Sequence, residues 1–275
     1  MIDGLTECRV FLENKYINEI FYTGSYRGRP CIVKCSTKCP WSIGNEYELA
    51  SRLFACAPTV VEEPLARGDD FGEGPEGRVF ARPCAYVVTA KIAGPSLTQL
   101  LAQGLTSEQA DSFAADIRQL AHALRETGIL HRDLFADNLL LGDDGHLKAI
   151  DFQLAIDRNQ PREDPWVLRH WKFRYVVFGV NRELGLGVWN DFHALGKVLA
   201  KFPQTETVRA VADELAASVD EMAYADPPKG LERLGLWFYG CSLRLQMMLR
   251  GKKHRKYVQL ENRWRTVRGG FVQKS

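Results

Sequence analysis

The run His131-Arg132-Asp133-Leu134-Phe135-Ala136-Asp137-Asn138 is followed, at the end of an apolar stretch, by Ala149-Ile150-Asp151-Phe152. It sets a carboxylate, an amide five residues later and a second carboxylate in fixed order. Phosphoryl transfer from ATP needs such a set. One carboxylate orients the attacking hydroxyl and accepts its proton, while the amide and the other carboxylate hold the magnesium ions that bridge the phosphates. Asp133 is therefore the candidate catalytic base, and Asn138 and Asp151 are the candidate metal ligands. The pattern H-R-D-L-x-x-x-N followed by D-F is among the more specific short motifs a chain can carry. The competing reading is a polar turn ahead of a strand.

Composition frames what must position these groups. The chain has 275 residues, 45% hydrophobic and 25% charged, which suits one large or two modest soluble domains with a real core. A net charge of +2 argues against a polyanion binder as a whole. No apolar run approaches eighteen residues, so no spanning helix is expected. The opening Met1-Ile2-Asp3-Gly4 has no basic and apolar regions of a secretory signal. The seven cysteines are expected as reduced thiols. Cys31, Cys35 and Cys39 have a metal-like spacing but no fourth ligand nearby.

The texture changes along the chain. Up to about residue 92, short strand-like runs (Arg9–Leu12, Ile20–Tyr22, Cys31–Lys34, Arg78–Ala81, Tyr86–Thr89) alternate with turns rich in Gly, Pro and Asp. One helix, Glu46–Ala55, interrupts them. From Ser96 onward the pattern is mostly helical. Thr106 and Gln109 form a capping box, Phe113, Ile117, Leu120, Ala121 and Leu124 give an apolar face, and Gly128 closes the helix. A strand-rich lobe ahead of a helical lobe leaves a cleft between them, a usual place for a ligand.

These features resemble the protein-kinase-like fold over nearly the whole chain. The implied class is α+β: a bilobal fold with a small antiparallel-sheet N-lobe carrying one main helix (1–92) and a mostly helical C-lobe (93–275). The resemblance implies ATP and Mg2+ as cofactors. Lys34, in Ile32-Val33-Lys34, is similar to the strand lysine that grips the phosphates, with Glu46 as its partner and Glu48 as the alternative. Tyr86–Gly94 resembles the adenine-holding strand and hinge, so backbone groups at Ala90 and Ile92 are expected to meet the base. Asp191, in Asp191-Phe192-His193, resembles the aspartate that anchors the catalytic loop, giving His131, Arg132 and Asp191 supporting roles.

The departures bear on the substrate. The phosphate-covering loop is reduced to Gly24-Ser25-Tyr26-Arg27-Gly28. Gln153 stands where D-F-G has its glycine, which predicts a fixed magnesium loop. Phe135 replaces a lysine that stabilises charge on the transferred phosphoryl group, so another cation, such as Arg132, must substitute or the substrate class must differ. The segment 152–190 has no Ser or Thr and carries Arg169, Trp171, Lys172 and Arg174, with Trp166 before and Trp189 after. Cations and aromatic faces there suit an anionic sugar. From Cys241 to Ser275 ten Lys or Arg stand against Glu261 alone, a net of +9 behind an apolar run, which suits an anionic membrane surface.

Together these details resemble the bacterial lipopolysaccharide core kinases, which phosphorylate heptose or Kdo sugars. The implied function is transfer of the γ-phosphate to a sugar hydroxyl of an anionic membrane glycolipid. The implied location is cytoplasmic and peripheral on the inner face of the cytoplasmic membrane, and no nucleic acid partner is expected. The alternatives are a Ser/Thr protein kinase and a catalytically silent kinase-like scaffold.

Overall fold

The computed structural model describes residues 2–14, 19–37, 40–68, 84–161, 184, 187–226 and 228–250. Five antiparallel strands open the chain: β1 (Leu5–Asn14), β2 (Glu19–Tyr26), β3 (Arg29–Ser36), β4 (Pro64–Gly68) and β5 (Ala85–Ala90), in the sheet order β1-β2-β3-β5-β4. Alternation drives β3: Cys31, Val33 and Cys35 face a small core with Ile20, Tyr22 and Val88, while Lys34 takes the other face. The expected strand at Arg78–Ala81 lies outside the described residues.

The expected phosphate loop is corrected here. Arg27 and Gly28 are the two central residues of the β2–β3 hairpin, and both have positive φ, as a primed turn requires. Gly24 lies inside β2, opposite Cys31. A Cβ there would sit 2.7 Å from Cys8 Sγ and 2.9 Å from the Thr6 carbonyl, so its glycine serves close packing of β1 on β2. The β1–β2 connection, residues 15–18, lies outside the described residues and contains no glycine.

Between β3 and β4 runs α1 (Pro40–Cys56), which starts earlier than the sequence pattern suggested. Ile43, Ala50 and Leu53 form its buried stripe, and Glu46 sits within that stripe. Leu49 and Leu53 join the larger core together with Val60, Val61 and residues of the second lobe, so α1 packs against both halves.

The second lobe begins with α2 (Leu97–Gln103) and α3 (Ser107–Thr127). Each starts on a reciprocal capping box, Ser96 with Gln99 and Thr106 with Gln109. The five apolar residues expected on one face of α3 are all buried. Short strands follow: β6 (Ile129–Leu130), β7 (Leu139–Leu141), β8 (Leu147–Ala149), β9 (Ile156–Asp157) and β10 (Val188–Asn190). β6 pairs with β9 and β7 with β8. Then come α4 (Asp191–Leu199), α5 (Glu206–Ala217), β11 (Ala223–Ala225), paired with β10, and α6 (Gly230–Arg250).

The link between the lobes passes through Gly94. A Cβ there would lie 2.0 Å from the Leu141 carbonyl oxygen, a rigid backbone atom. Gly94→Ala should therefore destabilise the protein by about 2 kcal/mol or more through forced overpacking. Urea unfolding of the variant beside wild type measures it.

Candidate active site

Three elements converge on one ammonium group. Lys34 Nζ, on β3, donates to both carboxylate oxygens of Glu46 on α1 at 2.7 and 2.9 Å, and to Asp151 Oδ1 at 2.6 Å. Lys34 is 6% exposed and Glu46 2%. Two nearby carboxylates hold the lysine well above its ordinary range, so it is charged. Burial pushes Glu46 up while Lys34 pulls it down. Glu48, the alternative partner, instead pairs with Arg67 at the surface.

The Asp133 segment is held from beneath. Asp191, the first residue of α4, accepts the His131 N–H at 2.6 Å and the Arg132 N–H at 3.0 Å. This fixes Arg132 at φ 66°, a conformation that a non-glycine residue rarely takes. His131 Nδ1 accepts from the Asp133 N–H at 3.3 Å and Nε2 faces the Ile150 carbonyl at 2.9 Å. Both contacts suit a neutral ring protonated on Nε2, and burial keeps its pKa low. One imidazole thus ties the Asp133 loop to the Asp151 segment. Asn138 Nδ2 donates to the Asp133 carbonyl at 2.9 Å and to Asp133 Oδ2 at 3.1 Å.

Asp133 carries a carboxyl pushed up to about 7, chiefly by burial and then by repulsion from Asp151. Asp151 moves the other way, because Lys34 holds it below the usual carboxylate range against the effect of burial. The donor set of Asp151 carboxylate and Asn138 amide oxygen is hard and all-oxygen, which fits Mg2+. No hydrogen bond among the described residues engages that amide oxygen.

Beside this floor lies a cavity of about 540 Å³, lined by Phe11, Phe21, Ile32, Thr89, Ile92 and Leu140 among others, with Lys34, Glu46 and Asp151 at one end. The Ala90 N–H already donates to the Glu63 carbonyl at 2.9 Å, so Ala90 has only its carbonyl to offer a base. Gly24 does not line this cavity.

Two carboxylates were missed in the sequence. Glu62, just after α1, lies against the cavity and accepts the Asp151 N–H at 3.0 Å. Glu19, at the start of β2, accepts from Gln153 Nε2. The only signal for either was a charge abutting an apolar run. Burial pushes both up to about 7. The left-handed backbone of this segment is at Asp151, with φ 65°, and Gln153 sits in a short 3-10 turn, Phe152–Leu154.

Arg132 does not replace the missing lysine. Its Nε donates to the Leu154 carbonyl at 2.5 Å and its guanidinium stacks over Trp189, so it braces the turn after Asp151. Trp189 is 1% exposed and stacked on Tyr224, which removes it as a sugar platform. Arg169, Trp171, Lys172, Arg174 and Trp166 lie outside the described residues, as does the basic run from 251 to 275. Cys31 and Cys35 are buried free thiols of β3, and Cys39 lies outside the described residues.

The Glu19 shift has a sign in stability. Its carboxyl rises from 4.5 to about 7 on folding, so between those values the folded state keeps a proton that the unfolded chain has lost. Stability from this group is full at low pH and declines as pH rises through that window. The nucleotide-free protein should melt several degrees lower at about pH 8 than at about pH 5, and Glu19→Gln should make that slope shallower, as calorimetry can measure.

Comparison with known proteins bears on this geometry. The sequence profile of protein tyrosine and serine/threonine kinases matches residues 76–171. The chain is 39% identical over 95 residues to atypical protein kinase C of Drosophila melanogaster, covering 34% of this chain and 16% of that protein. It is 34% identical over 116 residues to the cAMP-dependent protein kinase catalytic subunit 3 of the same organism, covering 42% and 19%. It is 43% identical over 72 residues to the serine/threonine-protein kinase AtPK1/AtPK6 of Arabidopsis thaliana, covering 26% and 16%. The chain thus spans less than a fifth of the length of each of these relatives. The profile match runs through the hinge, the Asp133 loop and the Asp151 turn, the same segments that build the cleft floor, and over those segments the chain is similar to the protein-kinase-like superfamily.

Proposed function

We propose that this chain is an ATP- and Mg2+-dependent phosphotransferase with an alcohol acceptor. The observation that carries the reading is the Lys34–Glu46–Asp151 ion cluster at the end of the 540 Å³ cavity, with Asp133 and Asn138 hydrogen-bonded on the same floor. A silent scaffold has no need of this full set.

In this reading Lys34, braced by Glu46, grips the phosphates, and the Ala90 carbonyl and Ile92 backbone orient the base. Asp151 and Asn138 hold magnesium, which neutralises charge on the triphosphate when bound. Asp133 orients the acceptor hydroxyl through Oδ and takes its proton. Its carboxyl near 7 is matched to that exchange at neutral pH. His131 and Asp191 keep Asp133 in register.

The serine/threonine-kinase names of the matched relatives support a polypeptide hydroxyl as the acceptor ahead of a sugar. A second reading, an anionic glycolipid at a membrane surface, is favoured by two particular features. A cavity of about 430 Å³ is lined by Asp133 together with Phe135, Lys197 and Lys201. The helix α6 also exposes Leu231, Leu234, Trp237, Phe238 and Met248, and Lys- and Arg-rich sequence follows it. Among the described residues no helix is long and apolar enough to cross a membrane, so such contact would be peripheral.

Asp133→Asn should lower kcat by about a thousandfold while nucleotide affinity stays within about threefold. Lys34→Met should weaken nucleotide binding as well. Turnover and calorimetric titration separate the two. Labelled ATP supplied with soluble polypeptides in one arm and anionic glycolipid vesicles in the other identifies the acceptor, and label in the polypeptide is the expected result.

A further inference from the structure

We propose that Glu62 is a positioning residue that sets the backbone of Asp151 for metal binding. The inference rests on the reading of Asp151 as a magnesium ligand. Asp151 is a non-glycine residue at φ 65°, ψ 65°, a conformation that persists only where its surroundings over-determine it. The residues before it are fixed by backbone partners: the Ala149 N–H donates to the Val60 carbonyl at 2.9 Å and the Ile150 N–H to the Asn138 carbonyl at 3.1 Å. The left-handed turn takes the next N–H, that of Asp151, out of this ladder. This part-buried N–H needs another acceptor, and the Glu62 carboxylate supplies it at 3.0 Å.

Glu62 is itself held. It is 7% exposed, its own N–H donates to the Ala149 carbonyl at 3.0 Å, and its carboxylate also takes a hydrogen bond from Thr89 at the cavity wall. One side chain therefore joins the base-facing wall, the β8 strand and the residue that carries the metal carboxylate. Groups that orient a ligand in this way govern metal affinity without touching the metal.

The test titrates Mg2+ calorimetrically into protein saturated with a non-hydrolysable ATP analogue, and follows turnover against Mg2+ in parallel. Glu62→Met keeps the length and apolar packing but offers the Asp151 N–H no oxygen acceptor, so it should weaken Mg2+ binding by about tenfold or more. Because Glu62 also lines the cavity, metal-free nucleotide affinity is measured in each variant, and the loss of Mg2+ affinity should exceed any change in it. Glu62→Gln retains an acceptor oxygen and should stay near wild type. If Glu62→Met does not fold, Glu62→Asp, one methylene shorter, should show the same loss. Wild-type Mg2+ affinity in Glu62→Met or Glu62→Asp overturns the proposal, as does an equal loss in Glu62→Gln. Asp151→Asn in the same titration separates the failures. If it binds Mg2+ as wild type does, the metal reading falls and takes this proposal with it. If it loses Mg2+ while the Glu62 variants do not, the positioning role alone falls.

Discussion

The Lys34 ammonium, 6% exposed, bonds to carboxylates drawn from 12 and 117 residues further along the chain. Glu19 and Glu62 add their fields to the same point. Buried charges of one sign repel and are poorly solvated, so a cluster of acids at the base of a cavity is held by a central cation and by protons kept on some of its members. That requirement fixes the meeting of β3, α1 and the Asp151 segment. The sheet register places Lys34 on the cavity face of β3, opposite Phe21 and Val87. The stripe of α1 turns Glu46 inward. This electrostatic knot ties β3 and α1 to the Asp151 segment beside the apolar packing of α1 on both halves.

A second constraint keeps the reactive carboxylates in mutual register. Asp191 caps two backbone N–H groups of the Asp133 loop, His131 bonds to that loop and to Ile150, and Arg132 holds the turn beyond Asp151. Each tie links the Asp133 loop to an element distant in sequence. Two of the four positive-φ non-glycine residues among those described, Arg132 and Asp151, lie within this mesh, as expected where surrounding bonds outweigh local conformational preference.

The parts legible in the sequence were those whose chemistry forces side chains to set spacings. The Asp133–Asn138 interval and Asp151 at the end of an apolar strand are of that kind, as are the capping box and apolar face of α3, whereas Glu46 came from the family resemblance with Glu48 left open and is separated from it only by its place in the buried stripe of α1. Glu62 and Glu19 were not legible, because a carboxylate is buried by its distance from Lys34 in space, and Val60-Val61-Glu62-Glu63, beyond the helix and Pro58, reads locally as a loop. Gly24 was misplaced for a related reason. Glycine spacing announces a turn or a close approach, but not which hairpin borders the cavity. Trp189 looked like a ligand platform, whereas its partners, Tyr224 and Arg132, come from other elements and bury it.

The most direct test of the central claim is a crystal structure with Mg2+ and a non-hydrolysable ATP analogue. The account predicts the triphosphate at the Lys34 end of the 540 Å³ cavity, Lys34 still bonded to Glu46, and metal held by Asp151 and Asn138 with Asp133 free to meet an acceptor. A nucleotide bound elsewhere, or a metal bound without Asp151 and Asn138, would contradict it.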